Sequence, residues 1–273
     1  MNILKNFSLE GKNSVILGGA GILGSALALG LGGAGSTIAI CDITNTDTTI
    51  EKLKNEHIKV KGYYVDAMDK NKIEQCKNEI LNDFGRIDIL INATGGNLKE
   101  ATTSEDLSFF DLEISSLQKV LNLNLFGGAI LPSQVFGKVM AENKKGGSII
   151  NISSMNAFRP LTKIPGYSAA KAAVSNFTQW LAVHFAQEYN KNLRVNAIAP
   201  GFFQTSQNHY LLFDKEGKLT ARGKSIISHT PMAEFGEPED LMGVCIWLAS
   251  DASRFVSGIV VPIDGGYSAY SGV

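Results

Sequence analysis

Short runs of β-branched and other apolar residues alternate along this chain with longer segments of helical periodicity. The runs predict seven strands, namely Ser14–Leu17, Thr37–Cys41, Lys59–Val65, Ile87–Ile91, Ser148–Ile152, Arg194–Ala199 and Val256–Ile263. This alternation is typical of βαβ units, in which right-handed crossover helices cover both faces of a parallel sheet. The sequence therefore predicts an α/β fold, a Rossmann-like doubly wound parallel seven-stranded sheet with helices on both faces.

The segments between these strands have the periodicity of helices. They predict helices at Ile22–Ala34, Lys70–Phe84, Leu117–Glu142, Ser168–Tyr189 and Pro238–Ala249. No linker, repeat or low-complexity tract divides the pattern, so we predict that residues 1–273 form a single domain. The irregular connection from Gly201 to Glu234 is too long for an ordinary loop, and we predict a substrate lid at about residues 202–235.

The composition argues against several functional classes. The net charge is −1, with 25 basic and 26 acidic residues interspersed, which leaves no basic footprint for nucleic acid or a membrane surface. The polar start lacks a signal-peptide apolar region, and no apolar run is long enough to span a bilayer. Cys41, Cys76 and Cys245 form no metal-spaced pair. We expect a soluble cytoplasmic protein with reduced thiols and with no metal, nucleic-acid or membrane partner.

A glycine-rich turn, Gly18–Gly24, follows the first predicted strand and opens a helix. Glycines allow a sharp turn that brings backbone N–H groups against a pyrophosphate, and the helix N-terminus adds a partial positive charge. Asp42 ends the second strand 18 residues after Gly24, where a carboxylate accepts hydrogen bonds from a ribose 2′-hydroxyl and repels a 2′-phosphate. The pattern predicts a dinucleotide site that favours NAD over NADP, although Asp42 could instead only cap the turn toward Thr44.

Tyr167 and Lys171 lie four residues apart and therefore share one face of a predicted helix. We expect the ammonium group to stabilise the phenolate and lower the pKa of Tyr167 from about 10, which would make it a general acid/base. Ser154, after an apolar strand, can place its hydroxyl beside the same substrate oxygen. Singly, such Tyr–Lys pairs and serines are also common at sites without chemistry.

Taken together, the motifs resemble the short-chain dehydrogenase/reductase family over the whole chain. The resemblance is carried by the glycine turn, Tyr167 with Lys171, Ser154 13 residues before Tyr167, Asn124 in Asn-Leu-Phe-Gly, Pro200-Gly201, and Asp264-Gly265-Gly266. It implies that Ser154 orients the substrate oxygen and Tyr167 exchanges its proton. By the same resemblance, Lys171 binds the nicotinamide ribose and depresses the tyrosine pKa, and Asn124 holds a water that links the lysine to solvent.

The resemblance also implies a set of cofactor contacts, with Asp66 at the adenine amino group and Thr205 at the carboxamide. The predicted cofactor-binding residues are Gly18, Gly21, Ile22, Leu23, Gly24, Asp42, Asp66, Ala67, Asn92, Ala93, Gly95, Tyr167, Lys171, Pro200, Gly201, Phe203 and Thr205. Two motifs depart from the family pattern. Leu17 and Ile22 stand where a threonine and the middle glycine are usual, and Asn92-Ala93-Thr94-Gly95 replaces Asn-Asn-Ala-Gly. These are changes within the motifs rather than losses of them.

Within the family, the chain is similar to a smaller branch, the D-mannonate oxidoreductases (fructuronate reductases), which interconvert D-fructuronate and D-mannonate. The similarity lies in the glycine turn, Gly95-Gly96-Asn97, the lid stretches Leu211–Gly223 and His229–Met232, and the ending Gly265–Val273. A sugar acid needs donors for its hydroxyls and a cation for its carboxylate, for which Arg is the better bidentate partner. The predicted substrate contacts are Asn97, Asn156, Arg159 and Asn208.

Other functions stay open at this point. The same chemistry would serve a reductase of mannuronate or of a keto-deoxy sugar acid, or a gluconate 5-dehydrogenase. A non-catalytic nucleotide-sensing protein on the same scaffold is expected to have lost Tyr167 or Lys171, and both are present. The resemblance further implies a homotetramer, assembled through the apolar segment Pro238–Ile263.

Overall fold

A computed structural model describes residues 2–205 and 209–272 of the chain. Within them, seven parallel strands form one sheet in the order β3-β2-β1-β4-β5-β6-β7. The strands are β1 (Asn13–Leu17), β2 (Thr37–Asp42), β3 (Val60–Tyr64), β4 (Ile89–Asn92), β5 (Gly147–Ile152), β6 (Leu193–Pro200) and β7 (Val260–Ile263). The direction of winding reverses between β1 and β4, which opens a crevice at the carboxyl ends of the strands. The predicted seven-stranded parallel sheet is confirmed.

Helices connect the strands. They are α1 (Ile22–Gly33), α2 (Asp47–Asn55), α3 (Lys70–Phe84), α4 (Ile114–Leu121), α5 (Leu131–Ala141), α6 (Pro165–Glu188), α7 (His209–Leu212), α8 (Ala221–His229) and α9 (Asp240–Ala249). A π-helical segment, Asn122–Ile130, joins α4 to α5, so the long helix predicted there is continuous but has wider turns with i→i+5 hydrogen bonds in its middle. None of these helices, within the described residues, has the length and apolar character needed to cross a membrane.

The core lies in two layers, one on each face of the sheet. Alternate strand residues point to opposite faces: Val15 and Leu17 pack with α3, α5 and α6, whereas Ile16 packs with α1 and α9. Because both faces are covered, the central strands are continuous apolar runs, and all eight residues of β6 are buried. The prediction of helices on both faces is therefore confirmed.

The segment predicted to be irregular, from Gly201 to Glu234, contains two helices, so that part of the prediction is wrong. Thr220 begins α8, since its Oγ1 accepts a hydrogen bond from the Gly223 N–H at 3.0 Å. Only Gly223 and Ile226 of α8 are buried, which leaves too few apolar positions for a helical period to be visible in the sequence. The short helix α2 was missed for the same reason, because it buries only Thr49 and Leu53.

Candidate active site

The turn after β1 is packed too tightly for side chains. Gly18 has a φ of +76°, and a Cβ on it would lie 2.8 Å from the Ala93 carbonyl. A Cβ on Gly24 would collide with the Gly18 carbonyl oxygen. Helix α1 begins after Gly21 with no side-chain cap, which leaves its first N–H groups for another acceptor. A close backbone turn with uncapped donors fits a pyrophosphate group, as the sequence pattern predicts.

Asp42, at the end of β2, reaches back to this turn. Its Oδ2 accepts a hydrogen bond from the Ala20 N–H at 3.0 Å, and its Oδ1 accepts from Thr44 N and Thr44 Oγ1, each at 2.9 Å. The carboxylate therefore caps its own turn and also stands beside the glycine turn. Both interpretations of Asp42 made from the sequence are compatible with this geometry, because a capped carboxylate remains an acceptor and a negative charge.

The other predicted adenine-side residues lie along the same edge of the sheet. Asp66 follows β3 and accepts a hydrogen bond from the Met68 N–H at 2.9 Å, and Ala67 is buried next to it. Asn92 ends β4, and the Ala93 N–H donates to the Leu17 carbonyl oxygen at 2.9 Å. The carboxyl ends of β3, β2, β1 and β4 thus place Asp66, Asp42, the glycine turn and Ala93 side by side, in the order a dinucleotide would meet them.

Ser154, Tyr167 and Lys171 come together from two elements. Ser154 follows β5 and begins a 3-10 turn, Met155–Ala157, in which its Oγ accepts from the Asn156 N–H at 3.2 Å. Helix α6 begins at Pro165, so Tyr167 lies in its first turn and Lys171 one turn later. The Ser154 hydroxyl lies close enough to the Tyr167 phenol to influence its pKa, and Lys171 Nζ lies 5.6 Å from the Tyr167 ring centroid.

The expected lowering of the Tyr167 pKa is wrong for this arrangement. Burial raises the pKa of Tyr167 above its ordinary value, and the interaction with Ser154 opposes only part of that rise. Lys171 directs its Nζ to the Ile152 carbonyl oxygen at 2.8 Å, and burial lowers the pKa of the lysine to about 8. The loss of solvent around both groups therefore outweighs the attraction between them.

Asn124 lies in the π-helical segment and holds the loop after β4. Its Nδ2 donates to the carbonyl oxygens of Gly96, at 2.6 Å, and Val120, at 2.8 Å, and its Oδ1 accepts from the Gly96 N–H at 3.1 Å. A Cβ on Gly95 would lie 2.6 Å from Asn124 Oδ1 and 3.2 Å from Lys171 Nζ. The structure thus brings Asn124 to Lys171 across Gly95, and it adds Gly96, which the sequence reasoning missed.

A buried polar network beneath the site was also missed. Asn92 Nδ2 donates to Asn151 Oδ1 at 2.8 Å, and Asn151 Nδ2 donates to Thr178 Oγ1 at 2.9 Å. Asn92 and Asn151 are register partners on β4 and β5, and Thr178 lies on α6. The signal that could have found the network is an asparagine at matching positions of two otherwise apolar strands. It fixes the two strands and α6, which carry Ser154, Tyr167 and Lys171.

Pro200, Gly201, Phe203 and Thr205 follow or end β6 at the other side of the crevice. The Gly201 N–H donates to the Ile263 carbonyl oxygen at 2.8 Å, and Phe203 is buried and bridged to Gly236. The Thr205 carbonyl oxygen accepts from the His209 N–H at 3.0 Å, at the start of α7. These residues connect the sheet edge to the predicted lid.

The predicted substrate contacts have different surroundings. Asn97 Nδ2 donates to Thr102 Oγ1 at 2.8 Å, which commits one of its donors within the loop. Asn156 is buried, and its Oδ1 accepts from the Leu161 N–H at 2.9 Å. Arg159 Nε donates to the Ser268 carbonyl oxygen at 3.1 Å. Asn208 lies outside the described residues. Across residues 2–205 and 209–272, no three His, Cys, Asp or Glu side chains gather as metal ligands would.

This arrangement can bind a dinucleotide along the sheet edge and exchange a proton at Tyr167 beside the Ser154 hydroxyl. A family model described as enoyl-(acyl carrier protein) reductase matches residues 19–268. An uncharacterized oxidoreductase of Haemophilus influenzae is 47% identical over 100% of this chain and 99% of that protein. A 2-dehydro-3-deoxy-D-gluconate 5-dehydrogenase of Escherichia coli is 34% identical over 98% of this chain and 99% of its own length.

Solved structures show the same similarity. A Haemophilus influenzae protein provisionally assigned as a D-mannonate oxidoreductase, solved with NAD, is 46% identical, covers 100% of both chains and has a TM-score of 0.91. A gluconate 5-dehydrogenase of Burkholderia cenocepacia, solved with NADP and tartrate, is 28% identical, covers 98% of this chain and 99% of its own, and has a TM-score of 0.85. With the Ser154, Tyr167 and Lys171 constellation in place and matches over nearly its whole length, the chain belongs to the short-chain dehydrogenase/reductase family.

Proposed function

We propose that this chain is an NAD-dependent oxidoreductase that interconverts a keto sugar acid and its hydroxy acid, with D-fructuronate and D-mannonate as the preferred pair. The observation that carries the chemistry is the meeting of Ser154, Tyr167 and Lys171 at the carboxyl edge of the sheet, beside the glycine turn. The choice of substrate is supported by the Haemophilus influenzae structure assigned provisionally to D-mannonate.

A bound nicotinamide would supply a hydride to the carbonyl carbon in reduction and accept one from the carbinol carbon in oxidation. In reduction, Tyr167 gives its phenolic proton to the carbonyl oxygen of the substrate, and in oxidation it takes that proton back. Ser154 Oγ accepts from the Asn156 N–H, so its hydroxyl proton is directed elsewhere, and it can turn from Tyr167 to the substrate oxygen as charge develops there. Asn124 Oδ1 and Lys171 Nζ both lie next to Gly95, and of the two only Lys171 brings a positive charge to the side where the nicotinamide ribose would bind.

For the cofactor, we propose that the uncapped start of α1 binds the pyrophosphate through Gly18, Gly21, Ile22, Leu23 and Gly24. Asp42 would bind the ribose 2′-hydroxyl, which favours NAD because the carboxylate repels a 2′-phosphate. The NAD in the Haemophilus influenzae structure supports this choice, and the NADP in the Burkholderia cenocepacia structure shows that the family fold accepts both. The remaining proposed contacts are Asp66, Ala67, Asn92, Ala93, Gly95, Tyr167, Lys171, Pro200, Gly201, Phe203 and Thr205.

For the substrate, we propose that hydroxyl groups are bound by amide donors near Ser154. Asn156 uses its Oδ1 for the Leu161 N–H, which leaves its Nδ2 as a donor two residues after Ser154. Asn97 and Asn208 would act from the β4 loop and the lid, and the lid at about 202–235 would close over the sugar with α7 and α8.

The cytoplasmic location and the homotetramer stay predictions.

A dehydrogenase of a keto-deoxy sugar acid is the second candidate, and the Escherichia coli relative supports it. A spectrophotometric assay decides between them. We expect NADH oxidation to be fastest with D-fructuronate and slower with 5-keto-D-gluconate and 2-dehydro-3-deoxy-D-gluconate derivatives. With D-fructuronate, the reaction should be at least about tenfold slower when NADPH replaces NADH, because Asp42 would repel the 2′-phosphate. Turnover of the deoxy acids alone would favour the second candidate, and a preference for NADPH would contradict the role of Asp42.

A further inference from the structure

Arg159 is anchored by its backbone beside the catalytic serine. Ser154 begins the 3-10 turn Met155–Ala157, and the Arg159 N–H donates to the Met155 carbonyl oxygen at 3.0 Å. The same loop is fixed two residues further on, where the Leu161 N–H donates to Asn156 Oδ1. The side chain of Arg159 therefore starts about one helical turn after Ser154, at the carboxyl edge of β5.

The side chain of Arg159 is held by the C-terminal segment. Its Nε donates to the Ser268 carbonyl oxygen at 3.1 Å. Ser268 is itself fixed, because Asp264 accepts hydrogen bonds from the N–H groups of Gly266, at 3.0 Å, and Ser268, at 2.9 Å. Asp264 directly follows β7, so the acceptor that orients the guanidinium group is tied to the sheet rather than to a free tail.

The hydrogen bond to the Ser268 carbonyl oxygen engages only the Nε of the Arg159 guanidinium group. Arg159 is exposed, and across the described stretches its Nη1 and Nη2 form no hydrogen bond or ion pair with another side chain or carbonyl. Lys171, the other cation of the site, already donates to the Ile152 carbonyl oxygen. Two parallel N–H donors on a rigid planar cation match the two oxygens of a carboxylate.

We propose that Arg159 determines the specificity of the enzyme for acids by binding the substrate's carboxylate through Nη1 and Nη2. This inference rests on the proposed keto-sugar-acid function and adds the residue that recognises the acid group. Arg159 is thereby the residue that separates a keto sugar acid from the corresponding neutral ketose. Ser268 and Asp264 position it, although neither touches the substrate.

The test compares an acid with uncharged analogues of the same sugar. KM and kcat are measured with NADH for D-fructuronate, its methyl ester and D-fructose, and the Kd of D-mannonate is measured by calorimetry on the NADH-saturated enzyme. In Arg159→Gln, we expect the KM of D-fructuronate and the Kd of D-mannonate to rise by about 10- to 100-fold, which is the loss of one charge-assisted bidentate pair. The kcat/KM of the ester and the NADH affinity should stay within about threefold of the parent.

Lys163→Gln is the matched control, because Lys163 is an exposed cation on the same loop. It should leave the preference for acids unchanged. Equal losses for acid and ester in Arg159→Gln would overturn the inference and assign Arg159 a purely structural role at Ser268, and so would an acid-specific loss in Lys163→Gln. If the unmodified enzyme bound D-mannonate through Arg159 but reduced no keto sugar acid, the proposed function would fail while the carboxylate site would stand.

Discussion

Lys171 carries an ammonium group at a position that is only 4% exposed, and its hydrogen-bond acceptor is the Ile152 carbonyl oxygen. No carboxylate forms an ion pair with it within the described residues, so burial acts almost unopposed and lowers the pKa from 10.5 to about 8. The residue that we propose for the reaction is therefore one that the folded chain would be more stable without. Such costs are typical of sites that are arranged for chemistry.

We predict that Lys171→Met abolishes turnover and stabilises the protein at neutral pH. The shift in pKa corresponds to about 3 kcal/mol, and the lost hydrogen bond offsets about 1 kcal/mol, which leaves about 2 kcal/mol in the free energy of unfolding. Below pH 8 the folded enzyme bears the full cost of the charge. Between pH 8 and 10.5 the unfolded state binds more protons than the folded state, so the unmodified enzyme gains stability as the pH rises. The difference in the free energy of unfolding between Lys171→Met and the unmodified enzyme therefore narrows.

Urea unfolding of both proteins at pH 7 and pH 10 measures this difference. Two results would show that Lys171 is not a buried charge in the folded enzyme. One is a Lys171→Met protein that is less stable than the parent at pH 7, and the other is a difference in the free energy of unfolding that does not change with pH.

At the scale of elements, the start of α1 depends on close contact between two glycines. A Cβ on Gly24 collides with the Gly18 carbonyl oxygen, whereas a Cβ on Gly33, in the last turn of the same helix, meets nothing within 4 Å. We predict that Gly24→Ala displaces the turn, lowers the melting temperature and weakens NADH binding by about tenfold or more, since the N–H groups proposed to bind the pyrophosphate move with it.

Gly33→Ala is the control for this prediction, and it should leave NADH affinity unchanged and stability unchanged or slightly higher. Titration of NADH fluorescence together with a thermal melt provides both readouts. Wild-type NADH affinity in a folded Gly24→Ala protein would mean that the dinucleotide does not bind at this turn.

At the scale of the whole molecule, the sheet could be predicted from the sequence because its strands are buried on both faces and stand out as apolar runs. Helices α2 and α8 could not, since most of their residues are exposed and give no clear helical period. Helix α7 has only four residues, which is too short for a helical period. For the site, the spacing of Tyr167 and Lys171 predicted their meeting. Their pKa values depend on desolvation, which is decided by packing from α4, the π-helical segment and β5 and not by spacing along α6.

The candidate site draws residues from distant parts of the chain, and the surroundings of several of them depend on contacts that local sequence patterns do not show. Arg159 was expected near the substrate, but its anchor at Ser268 depends on β7 lying next to β6. Asn92 and Asn151 lie in strands that are otherwise apolar in sequence. Their hydrogen bond depends on the register between β4 and β5, which the sequence does not show.

We propose that Tyr167 exchanges the proton of the substrate oxygen, and the Tyr167→Phe variant tests this role most directly. The change removes one hydroxyl group at a partly buried position, and Tyr189→Phe, at the far end of α6, is its control. Stopped-flow measurement of hydride transfer with NADH and D-fructuronate should show a rate reduced by about 10²- to 10⁴-fold in Tyr167→Phe, with NADH affinity and melting temperature unchanged. A rate within a few-fold of the parent would contradict the account.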